Sequence, residues 1–328
     1  MIELSHLTKR YGEHLAVSDL SFTVDSGHIY GFLGPNGAGK STTMNIMTGC
    51  LSATEGSVCI DGHDIFEEPE QAKRLLGYLP EQPPLYMNET PEEYLRFVGE
   101  AKGLRGAGLE QQIDAVIQQT GIEEAAHRRI SALSKGYKQR VGIAQALLGD
   151  PKVIILDEPT VGLDPIQIIE IRDLIKDLGQ THTVIFSSHI LSEVQTICDQ
   201  IIMIAKGKLV AFGTPENLEK HFLSSSEVTL TTEATAEKLN KILASVNHIT
   251  DTEVIHISEG RVTARLRADH EDVYQVSRDL FFAFSQWGVP LLELTPRKAS
   301  LEDIFLELAE SDETAPETEI AGGEVTAE

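Results

Sequence analysis

The chain contains 328 residues, of which 41% are hydrophobic and 24% are charged. At roughly 150 residues per domain this length predicts about two domains, each with enough apolar residues for a core, so a miniprotein and a wholly disordered chain are excluded. The 27 basic and 51 acidic side chains give a formal net charge of −24, which disfavours sequence-independent binding of nucleic acid. Residues 221–328 contribute 8 basic and 21 acidic side chains, so this shorter part is the more acidic per residue.

The first predicted elements are an antiparallel layer followed by a strand, a loop and a helix. Residues 2–24 alternate apolar and polar side chains in two runs separated by a turn, which is typical of antiparallel strands. The apolar run 29–33 leads into glycines and then into a helical pattern over 41–49. Further apolar runs of the buried-strand type, separated by helical periodicity, lie at 75–79, 153–156, 183–187 and 200–204. This alternation predicts an α/β fold with a mostly parallel sheet and helices on its faces.

Two further regions complete the predicted organisation. Residues from about 87 to 150 show apolar positions three and four apart and no strand pattern, which predicts a helical subdomain inserted between strands. From residue 227 the order strand, helix, strand, strand, helix, strand predicts a small α+β ferredoxin-like domain that closes with a helix over 300–310. The predicted domain bounds are 1–220, 221–310 and, for a disordered acidic tail, 311–328.

The cysteine content and the hydropathy indicate the cellular compartment in which we expect the protein. Cys50, Cys59 and Cys198 form an odd, sparse set without C-x-x-C spacing, which favours core thiols in a reducing compartment over a disulfide framework. The N-terminus lacks the regions of a signal peptide, and no apolar run approaches the roughly 18 residues that span a bilayer. We therefore expect a soluble chain whose role at a membrane, if it has one, depends on a partner.

The segment GPNGAGKST at 34–42 satisfies the pattern G-x-x-x-x-G-K-[ST] and lies between a predicted strand and a predicted helix. In such a loop the glycines let backbone N–H groups converge on an anion, while the lysine supplies a cation for the β and γ phosphates. The alternative is a glycine-rich turn without a ligand, which the flanking strand and helix disfavour. The predicted phosphate-binding residues are Gly34, Pro35, Asn36, Gly37, Ala38, Gly39, Lys40, Ser41 and Thr42.

Two acidic residues and a histidine follow buried-type strands further along the chain. Asp157 and Glu158 end the apolar run VIILDE, 117 residues after Lys40, and carboxylates at the end of a buried strand need cations or donors. Asp157 and the hydroxyl of Ser41 suit magnesium, and Glu158 suits a group that orients or deprotonates an attacking water. His189 follows the strand TVIFSS, where an imidazole could reach the γ-phosphate, although a lone histidine at a strand end is more often structural.

These motifs occur in the order and spacing of one family. Over residues 1–220 the sequence resembles the ATP-binding subunit of an ATP-binding-cassette (ABC) transporter, which is a P-loop NTPase. The matching segments are GPNGAGKST as Walker A, Gln82 in the Q-loop, LSKGYKQR at 133–140 as the signature, VIILDEPT as Walker B, GLDP at 162–165 as the D-loop and His189 as the switch histidine.

The resemblance assigns roles to residues that the motifs alone leave open. It implies that Glu158, His189 and Gln82 are catalytic, that Gln82 also contacts Mg²⁺ together with Ser41 and Asp157, and that Tyr11 stacks on adenine. A packed tyrosine at a strand end is the alternative for Tyr11. A plain connector between the catalytic layer and the helical subdomain is the alternative for the proline-rich loop around Gln82.

The resemblance also implies a dimer that encloses two ATP molecules head to tail. Ser134 and the N–H of Gly136 begin a predicted helix and would cap the phosphates bound by the other chain. The signature of the family usually reads LSGGQ, and Lys135 and Tyr137 depart from it here. Because the two capping residues are retained, we expect an active site. Lys135 is either a solvated side chain or an added positive charge near the opposing nucleotide.

The region 227–310 resembles the extra domain of ATPases that serve type-2 exporters of the drug, polysaccharide and gliding-motility-associated kinds. Its closing segment SLEDIFLELAE is moderately specific for this subfamily and does not name a substrate. The apolar residues of that segment share one helix face, which favours core or dimer packing over a ligand site. These residues are Leu301, Ile304, Phe305 and Leu308.

The resemblance therefore implies an ATPase that uses ATP and Mg²⁺ and drives an exporter through ATP-gated dimerisation as a homodimer or pseudo-dimer. It implies integral membrane permease subunits that contact the groove between the Q-loop and the helical subdomain, with no nucleic acid as partner. The expected location is cytoplasmic, peripheral on the inner face of the membrane. The alternative is a soluble cassette ATPase with a regulatory, nucleic-acid-linked or ribosome-linked role, which the single cassette and the net charge disfavour.

Overall fold

Two units, Met1–Ser224 and Ser225–Glu328, divide the chain in the computed structural model. The residues that the structure describes are 1–222, 226–258, 260–268 and 272–298. The predicted helix over 300–310, with its apolar stripe, and the predicted tail over 311–328 lie outside the described residues. The same holds for Glu259 in the turn predicted before the third strand of the second unit.

Strands of the first unit form two sheets. In chain order they are β1 (Ile2–Tyr11), β2 (His14–Val24), β3 (Ile29–Leu33), β4 (Glu55–Ile60), β5 (His63–Asp64), β6 (Leu76–Leu79), β7 (Val153–Leu156), β8 (Thr183–Ser188), β9 (Gln200–Ala205) and β10 (Lys208–Gly213). The larger sheet has the order β10, β9, β3, β8, β7, β6 and the smaller has the order β2, β1, β4, β5. Both the predicted parallel sheet and the predicted antiparallel layer are therefore present.

The larger sheet is parallel except at one edge, where β10 runs antiparallel to β9. Every residue of β3, β7 and β8 is buried, as expected for apolar runs covered on both faces. The smaller sheet is antiparallel and pairs Ile2 of β1 with Val24 of β2. The main core lies between the two sheets and joins residues such as Leu4 and Val58 to Phe32 and Ile155.

Helices of the first unit follow the strands. They are α1 (Lys40–Met47), α2 (Pro69–Arg74), α3 (Pro91–Ala101), α4 (Gly106–Thr120), α5 (Lys135–Leu147), α6 (Pro165–Gly179), α7 (Leu191–Ile197) and α8 (Pro215–Phe222). The predicted insertion is helical, since α3, α4 and α5 lie between β6 and β7. A capping box begins α3, in which Thr90 Oγ1 accepts from the N–H of Glu93 and the Glu93 carboxylate accepts from the N–H of Thr90.

One helix of the first unit packs unusually close to a central strand. Gly31 in β3 faces α7, and a Cβ at this position would overlap Val194 and lie 2.8 Å from the sulfur of Cys198. The backbone of Gly31 does not adopt positive φ. Glycine is therefore required here by the proximity of α7 and not by the backbone conformation.

The second unit has the predicted element order. Its elements are β11 (Ser226–Thr232), α9 (Ala236–Leu243), β12 (Ile249–Ser258), β13 (Arg261–Ala268), α10 (Val273–Gln286) and β14 (Leu291–Lys298). The four strands form an antiparallel sheet with the order β12, β13, β11, β14, which is the ferredoxin-like arrangement. Alternate residues of the sheet, such as Val228 and Leu266, pack with Leu239 of α9 and Phe284 of α10 in a separate core. In the described ranges, none of the helices is both long and apolar enough to cross a bilayer.

Candidate active site

The loop Gly34–Gly39 connects β3 to α1 and supplies the N-terminal end of that helix. Gly39 caps α1 with a φ of +99°, and a Cβ there would lie 2.6 Å from the carbonyl oxygen of Ala16. Gly37 also has positive φ, at +79°. Both positions favour glycine, because other residues rarely adopt this conformation. The loop thus places the partial positive charge of the α1 N-terminus beside backbone N–H groups, as an anion site requires.

The amine of Lys40 lies inside this loop. It donates to the carbonyl oxygens of Gly34 at 2.8 Å and Pro35 at 3.1 Å, and it lies 3.4 Å from Oε1 of Glu158. The side chain is 6% exposed, and burial lowers its pKa, while the carboxylate of Glu158 raises it. A cation is therefore held at fixed distance from the loop backbone and from Glu158.

Asp157 lies beneath the loop at the end of β7 and is 2% exposed. Its Oδ1 accepts hydrogen bonds from the hydroxyls of Ser187 at 2.6 Å and Ser41 at 3.3 Å. Burial raises the pKa of Asp157, and the hydrogen bonds from Ser187 and Ser41 lower it. Mg²⁺ prefers one or two protein oxygens and completes its shell with waters and phosphate oxygens. A buried carboxylate next to the Ser41 hydroxyl fits this donor set.

Glu158 joins the lysine to the histidine. Its Oε2 is hydrogen-bonded to Nδ1 of His189 at 2.8 Å, and its N–H donates to the hydroxyl of Ser187 at 2.7 Å. The residue is 8% exposed and has a φ of +48°, which is the left-handed region that non-glycine residues rarely adopt. Such strain persists where the surrounding structure imposes it, and it often marks functional sites.

A cavity of about 480 Å³ is lined by Lys40, Glu158 and His189. It has an aromatic side chain at its rim, since Tyr11 is 49% exposed and lines it. The other predicted residues that line the cavity are Asn36, Gly37, Gly39, Lys40, Ser41, Thr42, Glu158 and His189. The structure therefore brings together residues that the sequence separates by more than a hundred positions.

Some predicted residues lie elsewhere, and some lining residues were not predicted. Gln82 is exposed and is not among the lining residues, whereas its neighbour Glu81 is. Gly34, Pro35 and Ala38 belong to the loop without lining the cavity. The lining residues that the motifs did not indicate are His14, Ala16, Glu81 and Val161. They lie in β2 and in the connections that follow β6 and β7. Only the fold brings these segments close to the phosphate loop.

Ser134 and Gly136 line a second cavity of about 420 Å³ on the same unit. Ser134 caps α5 by accepting from the N–H of Tyr137 at 3.3 Å. Gly136 faces α6, where a Cβ would lie 2.7 Å from the end of the Gln167 side chain, so a larger residue would require that side chain to move. The amine of Lys135 lies against Gly162. Within one chain, the predicted signature is thus separate from the cavity at the phosphate loop.

Known proteins resemble the chain in both sequence and structure. Residues 17–161 match the ABC transporter family. An uncharacterized ABC transporter ATP-binding protein of Bacillus subtilis, YxlF, is 32% identical over 308 residues, which cover 94% of this chain and 99% of that protein. The chain is an ABC transporter ATP-binding protein. The bacitracin transport ATP-binding protein BcrA of Bacillus licheniformis is 35% identical to this ATP-binding subunit, covering 94% of it and 97% of BcrA.

Solved cassettes share the fold of the first unit of this ATP-binding subunit. The dimeric structure of the bacterial ABC transporter cassette MJ0796 matches with a TM-score of 0.60 and 28% identity, covering 65% of this chain and 98% of that one. A post-hydrolysis state of the same cassette bound to ADP and phosphate matches with a TM-score of 0.59 and 27% identity, with the same coverage. The ATP-binding subunit is therefore an ATPase with the P-loop NTPase fold, and its family acts as dimeric cassettes in transporters.

Proposed function

We propose that this ATP-binding subunit powers export across a membrane, and that ATP closes two copies of it head to tail. The observation that carries the proposal is the separation of the two cavities: the phosphate loop and Ser134 are on one unit but line different cavities. Neither cavity alone supplies donors on both sides of a phosphate, whereas two chains in opposite orientation pair each loop with the other chain's α5 N-terminus.

The roles of the residues follow from the geometry at the loop. We assign the phosphates of ATP to the loop backbone and the Lys40 amine, and the adenine to the face of Tyr11. Ser41 and Asp157, with Gln82 entering from its loop, would hold Mg²⁺, which neutralises charge on the phosphate oxygens. Glu158 orients and deprotonates the attacking water, and His189 holds the Glu158 carboxylate and faces the γ-phosphate. Export rests partly on relatives, since BcrA is named for bacitracin transport and LnrL of Bacillus subtilis for linearmycin resistance.

An exposed aromatic patch supports the proposed contact with permease subunits. Tyr86 and Phe97 are about half exposed, and their ring centroids lie 5.1 Å apart beside the proline-rich loop that follows β6. Met87, the residue after Tyr86, is also exposed. Large apolar side chains that cluster at a surface are typical of protein interfaces. We assign this patch to a permease segment, and we propose that the subunit is peripheral on the cytoplasmic face of the membrane.

Complementation between two inactive variants tests the head-to-tail arrangement. Lys40→Ala removes the phosphate cation, and Ser134→Arg blocks the capping residue. In a mixed dimer one composite site carries both defects and the other carries neither. Random pairing is expected to recover up to about a quarter of the wild-type ATPase rate, while each variant alone stays inactive. Absence of any recovery, with each variant folded and able to dimerise, would contradict the arrangement.

The permease contact is tested by Phe97→Ser, co-expressed with the cognate permease. We expect less subunit to co-sediment with membranes, because the docking surface loses an apolar anchor. Phe66→Ser is the matched control, since Phe66 is also an exposed phenylalanine of the first unit. Equal membrane association of the two variants would contradict the assignment of the patch.

A further inference from the structure

One buried carboxylate beside the active site is not explained by the motifs. Glu193 belongs to α7 and is 1% exposed. Its Oε2 accepts hydrogen bonds from the hydroxyls of Thr160 at 2.8 Å and Ser188 at 2.9 Å. Its Oε1 lies 3.6 Å from a guanidinium nitrogen of Arg172 on α6. A single carboxylate thus contacts residues of three other segments.

These segments carry the groups that we assign to hydrolysis. Thr160 is two residues beyond Glu158 and precedes Val161, which lines the nucleotide cavity. Ser188 is the last residue of β8 and precedes His189. The same Ser188 hydroxyl accepts from the N–H of Ile190 at 3.0 Å, which fixes the turn on the other side of the histidine. Glu193 therefore restrains the chain next to both partners of the Glu158–His189 hydrogen bond.

Packing alone does not account for a carboxylate at this position. The other buried residues of α7 are apolar, and an apolar side chain would avoid the cost of removing an ionised group from water. The charge partner is also loose, because Arg172 approaches at 3.6 Å and its Nε has no hydrogen-bond partner in the described part of the chain. The short contacts of Glu193 are those to the two hydroxyls, so its principal effect is to hold Thr160 and Ser188 together.

A second bridge acts on the opposite side of the same strands. The Ser187 hydroxyl donates to Asp157 and accepts from the N–H of Glu158, so it fixes the backbone at the end of β7. Glu193 acts on Thr160, which follows β7, and on Ser188, the last residue of β8. Since Ser187 remains when Glu193 is altered, loss of the Glu193 bridge is expected to displace Glu158 relative to His189 without dismantling the site.

We propose that Glu193 is a positioning residue for ATP hydrolysis, which holds Glu158 and His189 in their hydrogen-bonded contact by joining Thr160 to Ser188. The inference rests on the roles of Glu158 and His189 under the proposed function. Glu193 does not line the nucleotide cavity, so its effect on ATP binding is expected to be small. Its effect on turnover is expected to be larger, because small displacements of reacting groups are costly to rate.

Steady-state ATPase kinetics of substituted full-length chains provide the test. Glu193→Met keeps the side-chain length but offers the two hydroxyls no oxygen to donate to, and we expect kcat to fall about tenfold with KM for ATP within about twofold of wild type. Asp173→Asn is the control, since it removes an exposed carboxylate from α6. An unchanged kcat in folded Glu193→Met would overturn the inference.

Thr160 offers a matched pair that does not depend on the stability of Glu193 variants. Thr160→Ser keeps the hydroxyl and is expected to retain kcat within about twofold, whereas Thr160→Val keeps the shape, loses the hydroxyl and is expected to lose about as much as Glu193→Met. Equal rates for the two substitutions would count against the bridge. A lower stability without a change in kcat would indicate a structural role and would overturn the inference.

The decisive measurement combines Glu193→Met with His189→Ala. If Glu193 acts through the placement of His189 on Glu158, the double variant is expected to be no slower than His189→Ala alone. A further tenfold loss in the double variant would overturn the inference. Failure of the proposed function can be distinguished from failure of this inference. If the proposed function is wrong, Glu158→Gln or His189→Ala keeps full ATPase activity, whatever the activity of the Glu193 variants.

Discussion

The two units of the chain bury different kinds of side chain. In the first unit Lys40, Asp157, Glu158 and Glu193 are each less than 9% exposed and lie where β3, β7 and β8 end. In the described part of the second unit, Thr232 is the one buried polar residue, and the core is otherwise apolar. Buried charge is costly unless it is paired, so the first unit accepts this cost at its reaction centre. The described part of the second unit buries no charged side chain.

This contrast leads to opposite expectations for substitutions in the two units. Removing a buried charge from the first unit should reduce catalysis more than stability. Removing a buried apolar side chain from the second unit should reduce stability more than catalysis. Trp287 helps to separate the two effects, since it is the single tryptophan of the chain and follows α10 in the second unit. Its fluorescence reports on that unit directly.

The largest effect is expected for Glu158→Gln. The substitution keeps the shape and removes the base, so turnover is expected to fall about a thousandfold, equivalent to about 4 kcal/mol. ATP binding is retained, and a dimer is expected to accumulate with ATP and Mg²⁺, as measured by size-exclusion chromatography and a phosphate-release assay. A variant that hydrolyses ATP at the wild-type rate and stays monomeric would contradict the assignment of Glu158 as the catalytic base of the first unit.

The next largest effect is expected for Phe284→Ala in the second unit. Phe284 is 1% exposed in the core of that unit, and truncation is expected to cost about 3 kcal/mol of stability. Urea titration followed by Trp287 fluorescence measures the loss, with Phe281→Ala as the control, since Phe281 is 55% exposed. Basal ATPase activity below the unfolding transition is expected to be unchanged. A large loss of activity in the folded variant would contradict the assignment of chemistry to the first unit alone.

A smaller effect is expected for the ATP affinity of Lys40→Ala, a variant that also loses turnover because the same cation serves the transferred phosphate. The cation that donates to the loop carbonyls is lost, and ATP binding is expected to weaken by about 2 kcal/mol, roughly thirtyfold in Kd. Titration with a fluorescent ATP analogue measures the change. Thr42→Ala provides a comparison in the same cavity, since it removes a lining side chain that carries no charge. An unchanged affinity in Lys40→Ala would refute the phosphate-loop assignment.

The smallest effects are expected at two helix caps, one in each unit. Thr90 caps α3 in a reciprocal box with Glu93, and Thr235 caps α9 by accepting from the N–H of Lys238. Substitution by alanine is expected to cost about 1 kcal/mol at Thr90 and somewhat less at Thr235, because the latter lacks the reciprocal bond. Urea titrations followed by circular dichroism and by Trp287 fluorescence measure both. A larger loss at Thr235 would show that the reciprocal bond does not matter.

Much of the fold was predictable because its signals are local. The buried strands are uninterrupted apolar runs, and the phosphate loop, Asp157 and Glu158 belong to short motifs with fixed spacing. The strands β4, β5 and β10 were not predicted, since they are short or half exposed and contain glycine or aspartate. Their pairing depends on neighbouring strands that lie far away in the sequence.

The rest of the site was not predictable for a similar reason. Ser187 bridges Asp157 and Glu158 across 30 and 29 positions, and Glu193 reaches Thr160 across 33. These contacts exist because β7 and β8 are neighbours in a parallel sheet and end at the same edge. The local signal for Glu193 was weak, since three of the other six residues of α7 are also polar.

The contact of α7 with Gly31 has a consequence for the mutational tolerance of the chain. Position 31 has an ordinary strand backbone, so a sequence profile based on β propensity would admit many residues there. Any side chain would instead have to displace Val194, which is branched and cannot bend aside, and with it the helix that carries Glu193. In a saturation library, position 31 should therefore behave like an active-site position, although it contacts no substrate.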